Sequence, residues 1–342
     1  MTDSRRDAER WQEAMREAIA VAQSDDATYG ENPRVGCVLL DASGTVISRG
    51  HHRGAGTAHA EVDALQQAGE RARGATAVVS LEPCRHTGRT GPCTEALIRA
   101  GVARVVFGQS DPTDEASGGA QLLRDAGVEV VGGVLADEAR EVNVEWTFAV
   151  EHGRPFVTWK CAVSLDGRVA GPDGGPTPIT GDAARRQVHE LRARVGAIVV
   201  GTGTVLADDP ALTVRHPGLS ETPLRVVVGH RRLPEHARVL DDAAPTLLLD
   251  ERDTVRVLGQ LFSRGVRHVL LEGGPTLAAA FLDAGLIDRV DWYVAPLILG
   301  DGPLALPAGK DILREVAVER VEQVGEDMRI VGRVVRPGEA VA

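Results

Sequence analysis

Apolar residues recur with helical spacing over residues 8–23, where Trp11, Met15, Ala18, Ile19 and Ala22 share one face. The pattern then changes period. Residues 34–50 read as an apolar strand, a turn around Ser43-Gly44 and a second strand. A helical stretch at 59–69 stops at Gly69, and a continuous apolar run at 75–81 reads as a buried strand. Helix and strand alternate again at 94–101 and 103–108, then at 119–127 and 128–134. Strands separated by helices of this length predict a parallel sheet with helices packed on its faces.

A second series begins after "EHGRP" at 151–155. A strand is predicted at 156–164, a helix at 182–194 and a strand at 197–201. Short β-rich runs follow at 225–229, 246–250 and 268–274, with helices at 254–265 and 275–285 flanking the last. The chain therefore reads as α/β in class, with two domains, 1–150 and 151–342. The Pro- and Gly-rich stretches at 171–178 and 300–309 read as functional loops rather than linkers.

Composition narrows the picture. The 342 residues are 43% apolar and 25% charged, as in a soluble globular protein. A formal net charge of −11 argues against a nucleic-acid backbone or an anionic membrane as the main partner, since either would repel it. No run approaches the roughly 20 apolar residues that span a bilayer. The first residues, "MTDSRRDAERWQEAM", contain no apolar signal core, so the expected compartment is the cytoplasm. The cysteines are Cys37, Cys84, Cys93 and Cys161. In a reducing compartment they are not expected to form a disulfide framework. Cys37 and Cys161 lie in apolar strands and read as core.

Cys84 and Cys93 are different. Each follows a proline directly, and eight residues separate them. Upstream, "TAHAEV" places His59 two residues before Glu61. Catalytic zinc takes three protein ligands and keeps one position open, with histidine and cysteine as preferred donors. His59 opens a predicted helix, and the cysteines lie near the end of a strand and the start of the next helix. Helix starts favour thiolates, so these ligands could converge on one ion. Taken alone, a His-x-Glu is usually chance and a cysteine pair is often inert. Together the four residues match the division of labour in zinc-dependent nucleobase deaminases. There the ion lowers the pKa of a water towards roughly 7, and a glutamate that is not a ligand carries its proton. The usual signature spaces the cysteines by two residues; here the spacer is "RHTGRTGP".

The run from "NPRVGCVLL" through "HAEVDAL" and "EPCRHTGRTGPC" to "ARVVFG" resembles the deaminase half of the bifunctional riboflavin-biosynthesis deaminase–reductase family. "RPFVTWKCAVSLDGRVA", "ITGDAARRQVHELRAR", "VGTGTVLADDPALTVR" and "LLEGGPTLAAAFLDAGLID" continue the resemblance through the second half. It spans about residues 10–305. It implies an N-terminal cytidine-deaminase-like α/β/α domain and a C-terminal α/β domain similar to dihydrofolate reductase. The first would deaminate 2,5-diamino-6-ribosylamino-4(3H)-pyrimidinone 5′-phosphate using one Zn²⁺. The second would reduce the product's ribosyl group to ribityl with NADPH. The resemblance implies a homo-oligomer, dimer or tetramer.

Carried over by position, Asn32, His52 and Arg89 fall where the family contacts the pyrimidine or its phosphate. The resemblance places Arg192, Leu212, Arg215 and Glu272 near the reductase substrate, with Lys160 and Asp166 towards the same region. It places Ala162, Thr204, Asp208, Gly274, Pro275 and Thr276 near NADPH. No G-x-G-x-x-G follows a strand, so a Rossmann domain is not expected. Two glycine turns, "GTGT" at 201–204 and "EGGPTL" at 272–277, follow buried strands instead. Three departures from the family pattern stand out: Pro178 in place of a tryptophan, Thr113 in place of an asparagine, and Gly229 in place of an aspartate. "HRR" at 230–232 is a candidate contact to the NADPH 2′-phosphate, with a solvated charge run as its bland reading. The competing readings are a zinc deaminase of another nucleobase or of tRNA with an inactive or repurposed second half, and a protein whose zinc is only structural.

Overall fold

The structure, a computed structural model, describes residues 3–27, 29–86, 91–216, 222–307 and 313–336. It divides into two compact units, Met1–His152 and Gly153–Ala342.

In unit 1, α1 (Asp3–Ala22) precedes a hairpin of β1 (Gly36–Leu40) and β2 (Val46–His51). Then come α2 (Ala60–Ala68), β3 (Thr76–Leu81), α3 (Cys93–Ala100), β4 (Arg104–Gln109), α4 (Gly119–Asp125), β5 (Glu129–Val131), α5 (Ala136–Glu141) and α6 (Val144–His152). The sheet order is β2-β1-β3-β4-β5. Only β3, β4 and β5 are mutually parallel; β1 runs antiparallel to both β2 and β3. The expectation of a parallel sheet is thus corrected to a mixed one. The tight turn at Ser43-Gly44, with Gly44 at φ +91°, forces the first pairing to be antiparallel.

Alternate residues of these strands feed two cores. Cys37, Leu39, Ala77, Val79 and Val105 pack against α2, α3 and α4 through Ala60, Ala64, Leu97 and Leu123. Val38, Leu40, Val78 and Val106 pack against Trp11, Met15 and Ala18 of α1. This is a three-layer α/β/α unit. Gly50 sets one of its close approaches, because a side chain there would overlap the Ala60 carbonyl and the Ala64 amide of α2. Gly50→Ala is expected to cost about 1–3 kcal/mol, as overpacking against backbone does. Hydrogen exchange of the β1–β3 amides measures this, and unchanged protection would show that α2 is free to shift.

Unit 2 contains β6 (Phe156–Ser164), α7 (Asp182–Ala193), β7 (Ala197–Gly201), α8 (Thr202–Asp208), β8 (Leu224–Val228), β9 (Thr246–Leu249), α9 (Thr254–Phe262), β10 (His268–Leu271), α10 (Pro275–Asp283), β11 (Arg289–Ala295), β12 (Val316–Val324) and β13 (Asp327–Val334). The sheet order is β12-β13-β11-β6-β10-β7-β8-β9. The run from β11 to β9 is parallel, and β13 is antiparallel to β11 and β12. One sheet face packs on α9 and α10 through Val157, Trp159, Cys161, Val199, Leu271 and Phe281. On the other, Ala162 and Tyr293 meet Ala184 and Val188 of α7. Cys161 is buried, which pushes its thiol up to about 12, consistent with an inert core residue. Among the described residues, no helix is long and apolar enough to cross a membrane.

Candidate functional site

Three loops meet at one end of the unit 1 sheet. His59 is the residue just before α2, Cys93 is the first residue of α3, and Cys84 lies three residues beyond β3. His59 Nδ1 lies 3.2 Å from Cys93 Sγ and 3.6 Å from Cys84 Sγ. All three donor atoms lie within 4.8 Å of one another, the one such cluster among the described residues. Zinc with ordinary bond lengths and tetrahedral angles separates a nitrogen from a sulfur ligand by about 3.6 Å. Donor types and spacing therefore both fit that ion.

The loops are held by polar contacts. The Cys84 carbonyl accepts from the Thr94 N–H and hydroxyl, each at 3.2 Å, so the first turn of α3 is fastened to the cysteine loop. The Cys93 N–H donates to Cys84 Sγ at 3.5 Å. The Cys93 thiol, donating to Cys84, holds the Cys84 thiol down at about 4 against the effect of burial, and His59 helps. Cys93 moves upward because it keeps the proton that the pair shares. Glu61 is buried beside them, and burial followed by the negative Cys84 raises its carboxyl above the ordinary range.

Asn32 and His52 come together beside this cluster. Asn32 Nδ2 lies 3.1 Å from His52 Nε2, and His52 Nδ1 lies 3.1 Å from the Ala58 carbonyl. A carbonyl only accepts, so His52 carries its proton on Nδ1 and receives the Asn32 amide on Nε2. Burial lowers the His52 pKa and keeps the ring neutral. Its ring stands edge-on to that of His59, with centroids 5.4 Å apart. Arg89 lies outside the described residues. Thr113 donates its N–H at 2.8 Å and its hydroxyl at 2.6 Å to Asp111 Oδ1, so it closes a local turn.

In unit 2 the nominated residues gather at the carboxyl ends of the central parallel strands, where ligands of open α/β sheets bind. Arg192 of α7 gives Nε and Nη2 to the two oxygens of Glu272 at 2.6 and 2.8 Å, and Nη1 to the Thr213 carbonyl at 3.0 Å. The pair is largely buried. Although burial opposes it, Arg192, with Lys160 further off, leaves the Glu272 carboxyl below its ordinary range. Leu212 is buried and left-handed, at φ +49°. The Arg215 N–H donates to His189 Nδ1 at 3.1 Å. The Gly274 N–H donates to Thr204 Oγ1 at 2.9 Å, tying the start of α10, with Pro275 and Thr276, to α8. Both glycine turns open helices, although the sequence pattern assigns one only to the second. Asp208 ends α8, and burial raises its carboxyl. Lys160 and Ala162 lie two apart on β6 and so share a sheet face.

Other nominated residues have structural partners. Asp166 accepts the Ser164 hydroxyl at 2.5 Å and the Leu299 and Gly300 N–H groups at 3.1 and 2.8 Å, which holds it at about 2. Gly229 sits at φ +127°, where an aspartate would be strained and its Cβ would crowd Thr202. In the "HRR" run, His230 pairs with Asp250, and Arg232 lies 3.6 Å from Glu235. Several buried charges escaped the sequence reading, Glu82 and Arg225 among them. Glu82 accepts the Ala120 N–H at 3.0 Å, capping α4 beside the cysteine loop. Arg225 is fully buried in β8 and reaches Asp241 at 2.7 Å and the Ala211 carbonyl at 3.3 Å, next to Leu212. A lone charged residue at the edge of an apolar run was the available signal in both cases.

Family models match both units: the cytidine and deoxycytidylate deaminase zinc-binding region over residues 8–109, and the RibD C-terminal domain over residues 155–330. Riboflavin biosynthesis protein RibD of Mycobacterium tuberculosis is 48% identical over 296 residues, covering 85% of this chain and 86% of its own. The chain belongs to the RibD family. RibD of Escherichia coli is 41% identical, with 84% and 88% coverage. Among solved structures, RibD of Acinetobacter baumannii superposes with a TM-score of 0.90 at 37% identity, covering 96% of this chain and all of that one. A Thermotoga maritima diaminohydroxyphosphoribosylaminopyrimidine deaminase/5-amino-6-(5-phosphoribosylamino)uracil reductase gives 0.87 at 31% identity, with 96% and 99% coverage. As a RibD protein, the chain is an enzyme of riboflavin biosynthesis with a deaminase and a reductase function. A nucleobase or tRNA deaminase with a repurposed second half is not favoured.

Proposed function

We propose that unit 1 deaminates 2,5-diamino-6-ribosylamino-4(3H)-pyrimidinone 5′-phosphate and that unit 2 reduces the product's ribosyl group with NADPH. The observation that carries the first step is the convergence of His59, Cys84 and Cys93 with the buried Glu61 beside them. These three residues hold one Zn²⁺. When bound, it supplies a Lewis acid that lowers the pKa of water towards about 7. Glu61 takes one proton from the attacking water and gives it to the ring nitrogen, then takes the second from the hydroxyl now on the ring carbon and gives it to the amine, which departs as ammonia as the carbonyl forms. The Asn32 amide, held by His52, pairs with the pyrimidine edge, and Arg89 holds the phosphate. A closed structural zinc would use a fourth ligand rather than a buried glutamate.

For the second step, Gly274 to Thr276, Thr204, Asp208 and Ala162 form the NADPH side of the cleft. The glycine turn lets backbone approach a ligand, and the start of α10 offers N–H groups to phosphate. Bound NADPH supplies the hydride. Lys160, Arg192, Leu212, Arg215 and Glu272 form the substrate side, with the Arg192–Glu272 fork fixing its geometry. We place the enzyme in the cytoplasm as a homo-oligomer. The purified chain, given the diamino substrate and NADPH, should release ammonia first and consume NADPH afterwards. Ammonia release without NADPH oxidation would remove the second half of the reading.

A further inference from the structure

Helix α6 lies beyond the residues that match the zinc-binding region, and neither a proposed metal ligand nor a nominated substrate contact sits on it. Its polar side chains are nevertheless committed. Asn143, the residue just before it, is buried and grips the backbone of Arg34 from both sides. The Arg34 N–H donates to Asn143 Oδ1 at 2.8 Å, and Asn143 Nδ2 donates to the Arg34 carbonyl at 2.8 Å. Trp146 donates its indole N–H to the Glu31 carbonyl at 3.0 Å. Both contacts fall on the segment 31–34, one on either side of Asn32-Pro33. Thr147 is fully buried and accepts the Gln109 side-chain amide at 3.0 Å. The Gln109 carbonyl in turn accepts the Glu82 N–H at 2.8 Å, two residues before Cys84. Asn143, Trp146 and Thr147 are spaced i, i+3, i+4, so one helix face carries all three.

We infer that α6 is a clamp in which Asn143 and Trp146 act as positioning residues for Asn32, holding its amide at the pyrimidine edge. The 31–34 segment has no regular pairing of its own, and a loop ordered on both sides of Asn32 spends less binding energy on becoming ordered. The inference rests on Asn32 as a substrate contact, so the test includes that residue.

Asn143→Ala, Asn32→Ala and the double variant are made in the full-length zinc-loaded enzyme. Deamination KM and kcat, zinc content and NADPH reduction of the pre-deaminated substrate are measured for each. Asn143→Ala should raise the deamination KM about tenfold with zinc content and reduction unchanged. In the Asn32→Ala background it should add little, because the two act through one contact. Trp146→Phe keeps an aromatic ring, removes the N–H together with part of the indole, and should raise KM severalfold. An unchanged KM in both Asn143→Ala and Trp146→Phe, or additive effects in the double variant, would overturn the clamp alone. An unchanged KM in Asn32→Ala would overturn the Asn32 assignment and the clamp with it. Loss of zinc in Trp146→Phe would show that α6 supports the metal loops instead.

Discussion

Glu61→Gln is expected to lower the deamination rate by about 10²–10⁴-fold while zinc remains bound and the reductase step is untouched. The substitution keeps the length and shape of the side chain. It removes the group that can accept a proton and release it again. Because Glu61 is almost wholly buried, no bulk water reaches the same place to substitute for it. His59, Cys84 and Cys93 keep their own loops, fastened by Thr94 and by the packing of α2 on Gly50, so metal content should not follow the loss of rate. Ammonia release measured beside zinc content and NADPH oxidation separates these effects. Full deamination by the variant would remove Glu61 from the chemistry.

Glu272→Ala is expected to be the most destabilising single change at the second site, costing unit 2 about 3–5 kcal/mol, because it strands the buried Arg192 guanidinium. Replacing both residues by apolar ones of similar size should cost far less, since no unpaired charge remains. The pair also has a pH signature. The folded Glu272 pKa lies below its ordinary value. Its contribution is therefore fully present above the ordinary carboxylate pKa of roughly 4.3 and is lost as pH falls through the depressed folded value. The difference between wild type and Glu272→Gln should shrink in acid. Both units contain tryptophan, so amide exchange in β6, β7 and β10 is the appropriate readout. Equal protection in Glu272→Ala and wild type would show that Arg192 finds another partner or water.

The two kinds of site differed in how far they could be read in advance. In unit 1 the chemistry sits in short motifs: His-x-Glu at a helix start and two Pro-Cys steps beside a buried strand. The structure brings those residues together, and Asn32 and His52 beside them. In unit 2 the same kind of nomination depended on the resemblance. Its pieces come from β6, α7, α8 with the stretch that follows it, and the start of α10, and none carries a distinctive donor set. The fork between Arg192 and Glu272 joins residues 80 apart in sequence, which no local spacing encodes.

The fold shows the same contrast. Apolar periodicity located most helices of both units and, apart from β11, the strands of the parallel core, because burial on one or both faces imposes a period. It missed β11, β12 and β13. β12 is an edge strand with exposed Val318 and Val321 and a charged stretch between them, so no single buried face marks its pattern. It also missed α5 and α6. α6 has a buried face that is partly polar, formed by Thr147 together with the preceding Asn143.

By itself the sequence determined which donors are available for a metal, where the main elements begin, and that two α/β units follow one another. Those properties depend on residue type and on spacings of a few residues. The tertiary structure decided the antiparallel entry of β1 into its sheet, the pairing of buried charges at Glu82, Arg225 and Arg192–Glu272, and the grip of Asn143 on the loop before β1. Each of those is a choice among distant partners. A buried charge or amide must find some partner, but only the folded chain fixes which one lies within reach.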